Sequence, residues 1–229
     1  MENALSQEKL RISRELHDNI GARLTFLIGS LEYFEKGSKN NSARKNFASL
    51  KHSSRETLEE LRNTLWALKS EQGTLRDLIL KIRSYTRSSA SQHTKLEITI
   101  RCRKEDENTP LSSILMLTIF RIVQEALQNC IKHAHASTFT ITFEKSPSGL
   151  SVIMKDNGKG FDVKQVNNSY EKRGSLGMIN LRERAEMINA VLRVQSAPGK
   201  GTRVQAIIPL DDAAVDRLQR GLAKAPQPN

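Results

Sequence analysis

The fold of this 229-residue chain is predicted most directly by the segment SSILMLTIFRIVQEALQNCIKHAHA (Ser112–Ala136). Its apolar residues recur at the spacing of an α-helix. At 100° per residue they share one side of that helix: Ile119, Val123, Ala126, Leu127 and Cys130. A helix of this kind buries its apolar side on another layer and leaves its polar side accessible. The stretch therefore predicts a long helix that covers one face of a sheet.

The polar side of the same helix holds Glu125, Asn129, Lys132 and His133 within about 100° of one another. This set suits phosphates bound with Mg²⁺. An amide oxygen such as that of Asn129 can ligate a hard cation, and Lys132 can neutralise phosphate charge. Glu125 can accept a proton or orient a water molecule. The alternative is the ordinary polar face of an amphipathic helix, and the pattern alone leaves both interpretations open.

Strand patterns flank this helix on both sides, and alternation of apolar and polar residues marks each of them. The predicted elements are a strand in KLEITIRCR (Lys95–Arg103), neighbouring strands in FTITFEK (Phe139–Lys145) and GLSVIMKD (Gly149–Asp156), a helix near Met178–Ala190, and strands at Val191–Ser196 and Thr202–Pro209. Helices combined with a mostly antiparallel sheet predict an α+β fold, with a two-layer α/β sandwich as this part of the chain.

The segment DNGKGFD (Asp156–Asp162) directly follows a predicted strand. Asn-Gly after alternating apolar residues is typical of a β-hairpin turn. The polar and aperiodic sequence that follows offers no clean partner strand, however. Gly158 and Gly160 instead allow the backbone to approach a flat ligand closely. Asp156 at the end of a buried strand can accept a hydrogen bond from an exocyclic amine such as that of adenine.

Two more glycine-containing segments follow. RGSLGMINLRERAEM (Arg173–Met187) places Gly174 and Gly177 just before a predicted helix, whose first amides attract phosphate. GKGT (Gly199–Thr202) adds a tight turn and the Thr202 hydroxyl. Each segment is a weak signal alone, and their order and spacing together are much more specific.

Upstream, RISRELHDNIGARLTFLIGSLEYF (Arg11–Phe34) carries apolar residues at steps of three and four. A second such pattern runs from Phe47 to Leu68, after the polar turn KGSKNNS (Lys36–Ser42). Two helices with a short loop predict an antiparallel hairpin. Because one hairpin leaves much apolar surface in water, we expect a second copy to complete a four-helix bundle, which makes the protein a homodimer.

These patterns predict four regions: a helical hairpin at 1–70, a connecting helix at 71–93, the sandwich at 94–210, and a polar tail at 211–229. The longest apolar run, ILML (Ile114–Leu117), is far shorter than the roughly 20 residues of a membrane span. We therefore expect no membrane segment in this chain, and a cytoplasmic protein or the cytoplasmic portion of a membrane sensor.

The formal net charge is +11, from 36 Lys+Arg and 25 Asp+Glu, and it suits nucleotide phosphates or an acidic partner. The basic residues are spread along the chain without interleaved aromatics, so we expect no direct nucleic-acid binding. Cys102 and Cys130 lack metal-ligand spacing and are expected to be reduced thiols.

The segments QEALQNCIKHA, DNGKGFD, GSLGMINLRERA and GKGTRV resemble the N box and glycine boxes of the GHKL ATP-binding superfamily. RELHDNIGARL, upstream, resembles the dimerisation helix of bacterial two-component sensor histidine kinases. The resemblance runs from about Arg11 to Pro209. It implies a dimeric phosphotransfer hairpin, a sandwich of the GHKL (Bergerat) type, and ATP with Mg²⁺ as ligands.

The resemblance also implies a role for each motif residue. His17 would accept the phosphoryl group from ATP and pass it to an aspartate on a response regulator, while Asp18 accepts its proton. The remaining implied roles are Mg²⁺ binding by Asn129, phosphate contacts by Lys132 and His133, polarisation of the reacting groups by Glu125, adenine binding by Asp156, shaping of that pocket by Gly158 and Gly160, a nucleotide lid containing Gly174 and Gly177, and lining of the adenine side by Thr202.

The chemistry of the His17–Asp18 pair agrees with that role. A neutral imidazole is nucleophilic near pH 7, and a neighbouring carboxylate can fix its tautomer. Many relatives carry glutamine or histidine four residues after the aspartate, where it positions a water molecule. Ala22 stands there in this chain, so we predict weak or absent phosphatase activity of that type.

Two alternatives remain open at this point. One is a degenerate kinase that signals by docking alone, against which intact His17, Asn129 and Asp156 argue. The other is a GHKL ATPase of the chaperone or repair type that hydrolyses ATP with Glu125 and water. The helical hairpin with His17 argues against it.

Overall fold

The computed structural model describes residues 11, 13, 15–68, 72–90, 96–163, 176–211 and 213–215. The chain divides into two compact units, Met1–Gln72 and Gly73–Asn229.

The first unit is the predicted antiparallel hairpin. Its first helix includes a π-helical turn at His17–Gly21 and continues as helix α1 (Ala22–Gly37). Helix α2 (Asn41–Leu68) returns alongside it after a three-residue loop. Asn40 caps the start of α2, since its Oδ1 accepts the N–H of Ser42 at 2.9 Å.

The hairpin encloses only part of its apolar surface. Leu31 and Leu58 are buried between α1 and α2. Leu27 and Leu50 belong to the same predicted apolar sides but are 45% and 55% exposed. Two helices are too few to surround both apolar sides, which is the physical reason for expecting further helices around them.

The second unit is a five-stranded sheet with helices packed on it. Two short strands, β1 (Gln72–Thr74) and β3 (Pro110–Ser112), pair with each other. The strands of the large sheet are β2 (Glu97–Cys102), β4 (Thr138–Ser146), β5 (Gly149–Asp156), β6 (Val191–Ser196) and β7 (Thr202–Ile208). They lie in the order β2-β4-β5-β7-β6, with β2 parallel to β4 and the other pairs antiparallel. The helices are α3 (Leu75–Ala90), α4 (Ser113–Asn129) and α5 (Leu176–Glu186). The predicted α+β class and two-layer sandwich are confirmed.

Helix α4 forms the centre of the core. Ser112 caps its N-terminus, because its Oγ accepts the N–H of Leu115. Its buried residues Phe120 and Val123 pack in the same core as Ile141 and Val152 of the sheet. Within the described residues, the segment 113–134 is the one helix long and apolar enough to cross a membrane, and half of it is buried inside the protein. Its role as the core helix of the sandwich explains that composition.

Two helices differ from the sequence prediction, and the short strands β1 and β3 were not predicted. The helix predicted as a connector packs within the second unit, where Leu78 and Ile82 of α3 are fully buried. The predicted helix through Ala136 ends earlier: α4 passes into a π-helical turn at Cys130–Ala134, and His135 then takes a left-handed conformation. The wider turn accommodates an extra residue before the chain reverses into β4.

Candidate functional site

Asp156 is the centre of the candidate site in the second unit. It is the last residue of β5 and is 6% exposed. Its Oδ1 accepts the N–H groups of Gly158 at 2.8 Å and Thr202 at 3.3 Å. A buried carboxylate is stable when hydrogen-bond donors surround it, and here both described donors are backbone groups.

Close backbone contacts surround this carboxylate. A β-carbon added to Gly158 would overlap the carbonyl oxygen of Ala134, at the end of the π-helical turn. Gly160 has φ +60°, and a β-carbon there would overlap the carbonyl oxygen of Ala197. Only glycine fits both positions. The role of Gly158 and Gly160 in shaping a ligand pocket remains a prediction.

Thr202 joins the same group from the neighbouring strand. Ser196 Oγ donates to the carbonyl of Gly201 at 2.9 Å and lies 3.1 Å from Thr202 Oγ1. Because a serine hydroxyl has one proton, Thr202 is the donor in the second bond. Ser196 Oγ also accepts the N–H of Phe161 at 2.9 Å. This hydroxyl therefore ties the loop after Asp156 to the start of β7.

The polar side of α4 brings two predicted residues together. Asn129 Nδ2 donates to Glu125 Oε1 at 3.1 Å, and both side chains are half-buried. Lys132 and His133 follow in the π-helical turn and are exposed. Ala134, at the end of this turn, contacts Gly158 and accepts the N–H of Lys159 at 2.8 Å. The turn carrying Lys132 and His133 thus abuts the loop that follows Asp156.

The predicted lid lies mostly outside the described residues. Gly174 is one of the residues that the structure does not describe, and Gly177 lies in the first turn of α5. Their assignment to a nucleotide lid remains a prediction.

The hairpin places His17 at the first position of the π-helical turn, followed by Asp18, whose side chain is exposed. A groove of about 580 Å³ runs beside this turn. It is lined by Asp18, Gly21, Ala22, Thr25 and Phe26 from one helix and by Leu58, Leu61, Arg62 and Leu65 from α2. A β-carbon at Gly21 would meet no atom within 4 Å, so the hairpin leaves open space at this position of the turn.

Three residues of the cluster around Asp156 were not identified from the sequence: Asn157, Ser196 and Gly201. Gly201 has φ +69°, and its backbone packs directly on the carbonyl of Asp156. The signal for Gly201 was present in GKGT, whereas Ser196 became visible only through the pairing of β6 with β7. Asn157 was interpreted only as part of a turn motif.

Cys130 lies beneath this cluster at the start of the π-helical turn and is buried. Burial, and secondarily the charge of Asp156, raises the pKa of its thiol to about 12. The thiol is therefore protonated at neutral pH, and it serves as a packing group.

The structure thus combines a helical hairpin with an α+β sandwich in which a buried aspartate ends a strand among closely packed glycines. The model of the family described as histidine kinase matches residues 8–73. The model described as histidine kinase-, DNA gyrase B- and HSP90-like ATPase matches residues 116–212. The two matches together identify the chain as similar to a histidine kinase core.

Individual relatives agree with this assignment. The signal transduction histidine-protein kinase/phosphatase DegS of Bacillus subtilis is 28% identical over 210 residues, which are 90% of this chain and 54% of DegS. The sensor histidine kinase LiaS of the same organism is 30% identical over 217 residues, 91% of this chain and 56% of LiaS. The chain thus spans about half the length of these relatives.

Solved structures share the fold. The histidine kinase domain of the blue-light-activated kinase from Erythrobacter litoralis EL346 superposes with a TM-score of 0.53 at 18% identity, covering 83% of this chain and 98% of that domain. The histidine kinase AdeS of Acinetobacter baumannii superposes with a TM-score of 0.54 at 15% identity, covering 85% of this chain and 98% of the AdeS chain.

Proposed function

We propose that this chain is a kinase core that phosphorylates His17 from ATP and passes the phosphoryl group to an aspartate of a response regulator. One observation carries the proposal: a chain with the buried Asp156 cluster also presents His17 and Asp18 at an irregular turn on a helical hairpin. π-Helical turns are frequent at functional sites. A nucleotide ligand would account for the polar residues on α4 together, because its phosphates and cation would contact them.

The adenine end of ATP would bind Asp156. Both described hydrogen bonds to this carboxylate end on Oδ1, so Oδ2 remains as an acceptor for the exocyclic amine of adenine. Gly158 and Gly160 let the loop after Asp156 pack against the carbonyl oxygens of Ala134 and Ala197, which would shape the pocket for the base, and Thr202 would line the same pocket. Loss of the amine's only acceptor would disfavour binding of adenine by about 1–3 kcal/mol.

The phosphate end would bind at the last turns of α4. Because Asn129 directs its amide N–H toward Glu125, its carbonyl oxygen is left to ligate Mg²⁺. Among the described residues no three His, Cys, Asp or Glu side chains form a metal site, which is consistent with a cation held largely by the substrate's phosphates and by water. Lys132 and His133 would contact the phosphates, and Gly174 and Gly177 would belong to a lid over them.

The reaction would require the two units to meet. One ring nitrogen of neutral His17 forms a bond to the γ-phosphorus, while the bond from that phosphorus to the β,γ-bridging oxygen breaks and ADP leaves. Asp18 accepts the proton from the other ring nitrogen, which keeps the product uncharged on the ring. Glu125 polarises the reacting groups. Asn129 would hold Mg²⁺, which would supply positive charge against the phosphate oxygens.

The partners of this reaction follow from its chemistry. The phosphohistidine would transfer its phosphoryl group to a receiver-domain aspartate of a response regulator. A second copy of the chain would complete the helical bundle, because apolar residues of the hairpin are exposed in one copy. The dependence on ATP places the reaction in the cytoplasm.

The test is incubation of the protein with γ-labelled ATP and Mg²⁺, compared with His17→Gln. We expect label in the unchanged protein that survives base and is lost in acid, and none in His17→Gln. His52→Gln is the matched control, since His52 is an exposed histidine of the same hairpin that pairs with Glu56. It should label normally.

Other outcomes would contradict the proposal in different ways. Free labelled phosphate without labelled protein would indicate an ATPase that uses water as the acceptor. Nucleotide binding with neither product would indicate a docking module. Equal labelling of His17→Gln would move the acceptor elsewhere in the chain.

A further inference from the structure

Asn157 makes three hydrogen bonds to one short segment of the neighbouring strand. Its Oδ1 accepts the N–H of Ser137 and the N–H of Thr138, each at 2.9 Å. Its Nδ2 donates to Ser137 Oγ at 2.8 Å. The side chain therefore uses both its acceptor and its donor on residues 137–138.

These bonds connect the two halves of the proposed nucleotide site. Ser137 lies three residues after the π-helical turn that carries Lys132 and His133. Asn157 directly follows Asp156. One side chain thus joins the exit of the phosphate-binding helix to the end of the adenine-binding strand.

The adenine half has hydrogen bonds of its own that do not involve Asn157. Asp156 Oδ1 is held by the N–H groups of Gly158 and Thr202, and Ser196 holds the loop to β7. Between the halves, the described backbone links are the bond from Lys159 N–H to the carbonyl of Ala134, the bond from Asn157 N–H to the carbonyl of Thr138 at 3.4 Å, and the pairing of Phe139 with Asp156. Removing the Asn157 side chain would take away the three side-chain hydrogen bonds that add to these links, and it would leave the adenine contacts in place.

We propose that Asn157 is a positioning residue that fixes the adenine-binding aspartate relative to the phosphate-binding helix end. The inference rests on the proposed nucleotide site. The proposal predicts that Asn157 determines the affinity for ligands that span both halves, such as ATP. It also predicts that Asn157 has little influence on the affinity for ligands that occupy only the adenine half, such as adenosine.

The experiment measures the Kd of ATP with Mg²⁺ and the Kd of adenosine by calorimetry, for the unchanged chain and for Asn157→Ala. We expect the Kd of ATP to rise about tenfold and that of adenosine to change less than about twofold. Asn108→Ala is the matched control, because Asn108 is an exposed asparagine in a turn of the same unit. It should leave both values unchanged.

A conservative variant supplies a second measurement. Asn157→Asp keeps the two acceptor bonds, and the Ser137 hydroxyl can rotate to donate to the new carboxylate. We expect it to restore most of the ATP affinity. Asn157→Ser retains one acceptor, so its ratio of the ATP Kd to the adenosine Kd should lie between those of the unchanged chain and Asn157→Ala. This variant replaces Asn157→Ala in the test if Asn157→Ala does not fold.

A purely structural role would change both Kd values by the same factor, and that result would overturn the proposal. Unchanged ATP affinity in Asn157→Ala would overturn it as well. If the unchanged chain binds neither ATP nor adenosine, the proposed nucleotide site itself is wrong, and the role of Asn157 is refuted with it.

Discussion

Asp156 combines a structural role with a proposed binding role on two different oxygens. Asn at this position keeps an oxygen that can accept the N–H groups of Gly158 and Thr202, but it replaces Oδ2 with an amide donor. We expect Asp156→Asn to weaken ATP binding by roughly 10- to 100-fold and to change Tm by less than about 3 °C. Calorimetry and thermal unfolding would check this.

The control is Asp156→Ala, which leaves both backbone N–H groups without their acceptor. It should lose ATP binding and also become less stable by about 1–3 kcal/mol. Full ATP affinity in Asp156→Asn would contradict the assignment of adenine to this residue.

Cys130 predicts a pH dependence of stability. Its thiol has an ordinary pKa of 9.0, which the fold raises to about 12. Above pH 9 the unfolded chain loses a proton that the folded chain keeps, so the free energy of unfolding falls as pH rises. Between about pH 8 and about pH 10 the free energy of unfolding should fall by about 1.4 kcal/mol through this thiol. Cys130→Ala should not show this decrease.

Urea unfolding at the two pH values would measure the difference. Burial also raises the pKa of Cys102, but this cysteine is partly exposed, so Cys102→Ala provides the control and should retain most of the pH dependence. Equal losses in the unchanged chain and in Cys130→Ala would refute the effect.

The strands of the five-stranded sheet were predictable from sequence because their signals are local. Alternation along β4 places Phe139, Ile141 and Phe143 in the core, and the alternating burial follows that pattern. The position of Asp156 at a strand end was predictable for the same reason. The expectation that DNGKG is no tight hairpin is also consistent with the pairing of β5 with β4 and β7.

Other features depend on contacts between distant segments. Thr202 meets Asp156 because β7 pairs with β5, 46 residues apart in sequence, and a local pattern does not encode that pairing. The π-helical turns insert a residue into an otherwise regular helical periodicity, which an ideal 100° per residue does not anticipate. Helix α3 looked like a connector because its amphipathic pattern does not reveal which neighbour covers it. Tyr85 packing edge-on against Phe120, at 5.5 Å between ring centroids, shows that the sandwich covers it.

The division of the chain into two units matches the division of the proposed chemistry. The hairpin carries the proposed nucleophile His17 and its proposed acid–base partner Asp18, whereas the sandwich carries the groups proposed to bind ATP. Neither unit has the full set, so we expect phosphoryl transfer only when both are present. We also expect the hairpin to require a second copy of the chain, because its own two helices leave large apolar side chains exposed.

Leu50 tests that requirement, since it is 55% exposed on the apolar side of α2. Burial of one leucine contributes about 1.5–3 kcal/mol, and a two-fold interface contains each residue twice. We therefore expect Leu50→Glu to weaken the dimer by at least about 100-fold. Ser49→Glu adds the same charge at the adjacent exposed position and should remain dimeric. Sedimentation equilibrium measures both, and a monomeric unchanged chain, or a Leu50→Glu dimer of unchanged affinity, would show that this apolar surface is not the dimer interface.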